Sequence, residues 1–402
     1  MTPDAFRLRF PALEHTVWLD TPAAAPGAGP VVDAVSEALE GWRSGQRDWA
    51  AWWQETRQAC RSLIAAYLGV PDSCVALMGS FAEAAATVAA CLPPGRVVVG
   101  AEEYRSNLFP WLALDGGAHQ VVCVRSQHGG VRTADLIAAI TPGTVLVTVS
   151  EVLSCEGVRA DLPALRRASD EVGARLFIDA TQSQGVLRLD LASLRPDYLA
   201  VHGYKWMLCP RGAAWLAARE DRTGQLRPLL PNPQSAADHA WFGGPFRAAA
   251  GAARCDTSPA WLSWAGARAA LQLSLALPPG RVEQHCLRLA ANFRDGARAA
   301  GAVPVGDGTS HIAAVRVADS RSLLARLQSS GIRAAALGDR LRVGFHYFNN
   351  DSDVEAILRV LRSPCERTQC GQRKGNYRGR PNAALCAAAS WRQHRQSTGW
   401  RT

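Results

Sequence analysis

Lys205 and Lys374 are the only lysines in a chain of 402 residues, so 42 of the 44 basic residues are arginine. A GC-rich coding bias explains arginine at ordinary surface positions. A lysine that persists in the body then does something arginine cannot. A guanidinium stays protonated and forms no imine, whereas a lysine amine stripped of water can lose its proton and attack a carbonyl carbon. Asp179 stands 26 residues before Lys205, with Gln182 between them. RLFID (175–179) reads as a strand ending in Asp179, and DYLAVH (197–202) as a strand just before Lys205. Both residues would then lie at the carboxyl edge of a sheet, where open α/β folds bind ligands. Singly, Asp179 would be a strand-end cap and Gln182 a surface polar residue. Jointly, an acid, an amide and an amine converge on one ligand.

The elements that position these residues follow from periodicity. Residues 31–70 read as two amphipathic helices. Short apolar runs at 75–78, 97–101, 121–124, 145–150, 175–179, 197–202 and 213–218 then alternate with helical stretches, including 82–91, 133–140 and 162–172. Such alternation predicts an α/β fold with a parallel or mixed sheet covered on both faces. A long helical segment follows from about Ser263. A second unit comes next: helix 281–300, strand 311–317, helix 320–330, strand 341–345 and helix 352–362. The expected organisation is an N-terminal segment 1–30 packing with the small domain, a large domain 31–265, a small α+β domain 266–362 and a tail 363–402.

Composition bounds the function. Hydrophobic residues at 48% and charged residues at 20% can support a large packed core. The net charge of +9 is concentrated in the tail, which holds eight Lys or Arg and one acid from Ser363 onward. A nucleic-acid partner is therefore not expected. No apolar run approaches the roughly 20 residues of a membrane span, and the N-terminus lacks a signal-peptide pattern. A soluble, cytoplasmic protein is expected. The 11 cysteines form no CxxC pair and read as buried small hydrophobes, not disulfides or metal ligands. The aperiodic basic tail reads as a disordered segment or a non-native end of the coding sequence.

Residues 177–216, with DATQ, HGYK and CPRG in order, resemble the class V aminotransferase superfamily of pyridoxal 5′-phosphate (PLP) enzymes, fold type I. That group includes cysteine desulfurases, kynureninase and isopenicillin N epimerase. The resemblance extends over most of 15–362. It implies a mostly parallel seven-stranded sheet in the large domain and PLP held as a Schiff base on Lys205. Asp179 would face the pyridine nitrogen, because a protonated ring draws electrons from the substrate carbon. Gln182 would donate to the ring hydroxyl. GSFAEAA (79–85) stands at the family's phosphate turn, with Ser80, Phe81 and Ala82 as donors at a helix start; Ala82 replaces the usual Thr. EEYRSNLFPW (102–111) puts Tyr104 where a His stacks on the ring. VLSCEG (152–157) puts Ser154 where Asn usually sits. His202 and Tyr204 would reach the phosphate. RCDTSPAW (254–261) makes Ser258, or Thr257, the residue that contacts the partner's phosphate in a homodimer. LRVGFHYFNN (341–350) makes Arg342 the clamp for a substrate carboxylate.

The resemblance leaves the reaction open, since one scaffold hosts many chemistries. An α-amino acid is the expected substrate. Transamination and β-elimination, such as C–S cleavage of an S-substituted cysteine, are both retained. So is a non-catalytic PLP-fold binding protein, against which the Lys, Asp, Gln and Arg counterparts speak. A cysteine desulfurase is not expected, because 331–342 lacks the loop cysteine that such enzymes carry before the arginine. The Trp-rich stretches at 49–53, 241–242 and 261–264 would line an aromatic pocket or pack in the core.

Overall fold

The computed structural model of the chain describes residues 1–126, 132–238, 242–258 and 260–363. The tail from Pro364, with Lys374, and Trp241 lie outside the described residues. After a short helix, Pro3–Arg7, comes the first strand, the two-residue β1 (Val17–Trp18). The central sheet takes β2 (Val75–Met78), β3 (Gly95–Gly100), β4 (His119–Val124), β5 (Thr144–Ser150), β6 (Arg175–Asp179), β7 (Tyr198–His202) and β8 (Ala214–Ala218). Their spatial order is β2-β8-β7-β6-β5-β3-β4. Neighbours from β7 across to β4 are parallel, and β8 is antiparallel to both β7 and β2. Only residues 203–213 join β7 to β8, shorter than the roughly 12 residues a parallel crossover needs.

Side-chain alternation builds a core on each face. Leu77, Val98, Val147, Ile178 and Val201 join one cluster, packed against helices Trp49–Leu68, Leu162–Glu171 and Trp261–Leu275. Met78, Val97, Val99, Phe177 and Ala200 join the other, under helices Phe81–Ala89 and Arg105–Leu112. Residues of odd and even position on a strand point to opposite faces, so one apolar run serves both cores. Burying each of the larger side chains among these contributes about 1.5–3 kcal/mol. Trp53 and Trp264 are buried in the first cluster, and Trp49 stacks on Trp261 at 4.8 Å. These tryptophans serve helix packing.

The register aligns the strand ends that matter. Met78 and His202 flank Ala214 on either side, and Asp179 pairs with both Ala200 and Ser150. The loops that leave β2, β5, β6 and β7 therefore emerge along one carboxyl edge.

A second sheet contains β9 (Val303–Val305), β10 (Ile312–Arg316), β12 (Ala335–Leu337) and β13 (Arg340–Gly344), antiparallel in the order β12-β13-β10-β9. Helices Pro279–Ala299, Ser320–Ser329 and Asp351–Arg362 cover it around Phe293, Val315, Leu327 and Ile357. The short strands β9 and β12 were not anticipated. Pro304 lies in β9, an edge strand, where a missing N–H is tolerated. The strand β11 (Ile332–Arg333) pairs in parallel with β1. Arg7 pairs with Asp353 at 2.9 Å, and Phe10 packs on Phe348. The amino-terminal residues are thereby fixed to the carboxyl-terminal half of the fold.

Candidate active site

Lys205 lies in the turn that follows β7. Leu208 N–H donates to the Lys205 carbonyl and Cys209 N–H to that of Gly203, which closes the turn. Leu208 adopts φ 62°, a disfavoured conformation for a bulky residue. The lysine is buried, with Nζ 5.3 Å from the Tyr104 ring centre and 5.7 Å from that of Tyr204. Burial lowers its amine to about 8, although the Asp179 charge acts in the opposite sense. An amine in that range is partly deprotonated near neutral pH and able to act as a nucleophile.

Asp179 is buried at the end of β6, and its Oδ1 accepts from Thr181 N–H at 2.8 Å. Burial pushes its carboxyl up, while Thr181, Lys205 and the Ser150 hydroxyl favour the charged form. Behind it is a network that the sequence reading missed. Glu103 accepts from Ser150 N–H at 2.7 Å, from the Ser150 hydroxyl and from Asn107 at 3.1 Å. Asn107 in turn accepts from Trp111 at 3.2 Å and Thr148 at 3.0 Å. Burial holds the Glu103 carboxyl up at about 7. Glu103, Asn107 and Trp111 fall at four-residue spacing within the quoted segment 102–111, and this was the available signal.

Ser154 joins two of the expected residues. Its Oγ accepts from Gln182 Nε2 at 2.8 Å and from Arg342 Nη1 at 3.1 Å, and its carbonyl accepts from Arg342 at 2.9 Å. Gln182 Nε2 also donates to the Pro22 carbonyl at 3.0 Å, and its Oε1 accepts from the Trp206 indole at 2.7 Å. Arg342 lies on β13, is almost fully buried, and meets Asp20 at 3.3 Å. Sequence reading named neither Trp206 nor Asp20.

The remaining candidates divide. Ser80 caps helix Phe81–Ala89, its Oγ accepting from Glu83 N–H at 3.3 Å. The first N–H groups of that helix, at Phe81 and Ala82, have no intrahelical acceptor. His202 N–H donates to Thr181 Oγ1 at 3.1 Å, and its ring meets Tyr204 edge-on at 4.5 Å. Its buried Nε2 has no partner among the described residues. Burial lowers this imidazole to about 4, so it is neutral at physiological pH. Ser258 is exposed and no contact ties it to the other candidates among the described residues; the adjacent Thr257 N–H donates to the Leu77 carbonyl at 3.0 Å.

A model of the aminotransferase class-V family matches residues 17–357. The chain belongs to the class V aminotransferases. A probable cysteine desulfurase of Methanothermobacter thermautotrophicus is 30% identical over 57% of this chain and 60% of its own length. This class V chain thus matches less than two thirds of that relative. Isopenicillin N epimerase of Amycolatopsis lactamdurans is 26% identical over 75% of this chain and 83% of its own. The solved complex of the cystine C–S lyase C-DES with cysteine persulfide shares the fold, with TM-score 0.80 at 20% identity over 88% of this chain and 99% of that one. The desulfurase name runs weakly against the expectation drawn from the cysteine-free stretch 331–342. The expected family, fold type I architecture and PLP cofactor are borne out.

The residues fit that cofactor. A buried amine held at about 8 suits an aldehyde carbon. A buried carboxyl on the same sheet edge suits a pyridine nitrogen. The unpartnered His202 Nε2 and the open helix N–H groups at Phe81 and Ala82 suit a phosphate.

Proposed function

We propose that this class V enzyme acts on an α-amino acid, with Lys205 as the cofactor-bearing base, Asp179 as the partner of the pyridine nitrogen and Arg342 as the carboxylate clamp. The observation that carries the reading is the Ser154 link: one side chain bonds both Gln182 and Arg342. It couples the residue that would hold the ring to the residue that would hold the substrate. When bound, PLP supplies an electron sink for negative charge developing at the substrate's α-carbon. Lys205 can take a proton from that carbon and return it, because burial lowers its affinity for protons to about 8, near neutrality. Arg342 fixes the carboxylate and so sets which bond of the α-carbon is aligned for cleavage. Tyr104 would cover the ring face. Ser80, Phe81, Ala82, His202 and Tyr204 would hold the phosphate. Ser258, exposed here, would serve the partner's site in a cytoplasmic homodimer with shared active sites.

Transamination or β-elimination is favoured over persulfide-forming desulfuration. Residues 331–342, the stretch leading to Arg342, contain no cysteine. Cys155, beside Ser154, has its thiol raised by burial and then by the neighbouring Glu156. The purified holoenzyme should convert amino acids or cysteine S-conjugates, and release of pyruvate and ammonia without added keto acid identifies the lyase. An amino acid should be turned over and its decarboxylated amine should not. Equal kcat/KM for the two would sink the clamp at Arg342.

A further inference from the structure

The guanidinium of Arg342 is already engaged. Nη1 donates twice to Ser154, and Nη2 meets Asp20 Oδ1 at 3.3 Å. Nε is buried with no partner among the described residues, and the whole residue is 6% exposed. A planar carboxylate clamp needs two parallel N–H groups. No such pair is free and open to an incoming ligand.

The two partners of Arg342 differ in how readily they can leave. Ser154 holds it through a backbone carbonyl as well as its hydroxyl, and that hydroxyl is also bonded to Gln182. Asp20 offers one side-chain oxygen, and its side chain is 27% exposed. Asp20 also has an alternative cation. Arg333 stands opposite Trp18 in the β1–β11 pair and is exposed. No carboxylate pairs with Arg333 among the described residues. Burial pushes the Asp20 carboxyl up, Arg342 is foremost in drawing it back, and Arg333 and Lys205 act in the same sense. Asp20 thus lies within the field of three cations and is partly open to solvent.

We propose that Asp20 is a resident stand-in for the substrate's α-carboxylate, occupying Arg342 in the resting enzyme and turning to Arg333 when substrate binds. The proposal rests on the reading of Arg342 as the carboxylate clamp. Its physical basis is that a buried guanidinium without a counter-charge is costly. Asp20 supplies that charge until a ligand does. Exchange of one carboxylate for another also sharpens selection. An amine without a carboxylate cannot displace Asp20, so it is rejected by an occupied site as well as by a missing contact.

The test is calorimetric titration of the holoenzyme with propionate, a bare carboxylate, in four chains: the parent, Asp20→Asn, Arg342→Gln and the double variant. Retention of the cofactor's visible band reports folding. With Arg342 present, Asp20→Asn should tighten propionate binding roughly three- to tenfold, as expected for removing a competing, partly exposed ion pair. With Arg342→Gln, the Asp20 substitution should change nothing. Asp20→Glu, which keeps the charge, should not tighten binding. If Asp20→Asn leaves propionate affinity unchanged or weakens it while Arg342→Gln abolishes binding, the clamp stands and the stand-in is wrong. If Arg342→Gln binds propionate as tightly as the parent, the clamp itself fails and the proposal with it.

Discussion

The Trp206 indole N–H donates to Gln182 Oε1 at 2.7 Å. Trp206 follows Lys205 directly, and Gln182 lies three residues after Asp179. One hydrogen bond therefore ties the turn bearing the lysine to the turn bearing the acid. Close packing supports it. Gly185 has φ 104°, and a Cβ there would run into the Trp206 carbonyl. The spacing between the Lys205 amine and the Gln182 amide is thus set by two segments that bond and touch.

Trp206→Phe keeps a ring in the core but removes the donor, leaving the buried Gln182 oxygen unpartnered. Loss of that partner should cost about 1–3 kcal/mol. Thermal unfolding should shift down, and turnover should fall roughly tenfold as Gln182 loosens. Cofactor attachment to Lys205 should persist. A variant with unchanged Tm and turnover would show that the bond positions nothing.

Glu103 makes a pH-dependent demand on the fold. Its carboxyl is held up at about 7 by burial, so between the ordinary carboxylate range and neutrality the folded chain keeps a proton that the unfolded chain releases. Stability from this group is therefore present at lower pH and is lost as pH rises towards 7. Across the shift from 4.5 to about 7 the linkage amounts to roughly 3–4 kcal/mol at about 1.4 kcal/mol per pH unit. Glu103→Gln should flatten the decline. Urea unfolding of parent and variant at pH 5 and pH 8 measures it, and parallel curves would refute the assignment.

The Lys205 amine predicts how the apoenzyme takes up its cofactor. Only the unprotonated amine attacks an aldehyde, so the loading rate should rise with pH to a plateau with a midpoint at about 8. Stopped-flow absorbance would follow it. A midpoint above 10, the range of an exposed lysine, would show that burial does not tune this amine.

Much of this site was legible because its residues are local in sequence. DATQ and HGYK each end a strand of the central sheet, so Asp179, Gln182 and Lys205 inherit their meeting point from the register β6–β7. What was not legible is long-range. Asp20 and Arg342 are 322 residues apart, and Asp20 belongs to none of the motifs read from the sequence. Helix Arg105–Leu112 was not among the helical stretches read from periodicity; Pro110, a helix breaker, lies inside it near its end. The antiparallel course of β8 was implied only by the short 203–213 connection, which periodicity does not report. Ser258 shows the limit from the other side: its motif is readable, yet a single chain leaves it exposed and apart from the site.

Lys205 is proposed to carry the cofactor. Reducing the holoenzyme with borohydride, digesting it and mapping the modified peptide by mass spectrometry tests that claim most directly. One pyridoxyl-labelled residue, Lys205, is expected, with no fixed label or visible chromophore in Lys205→Ala. A label on Lys374, or a chromophore that survives Lys205→Ala and is fixed on no lysine, would contradict it.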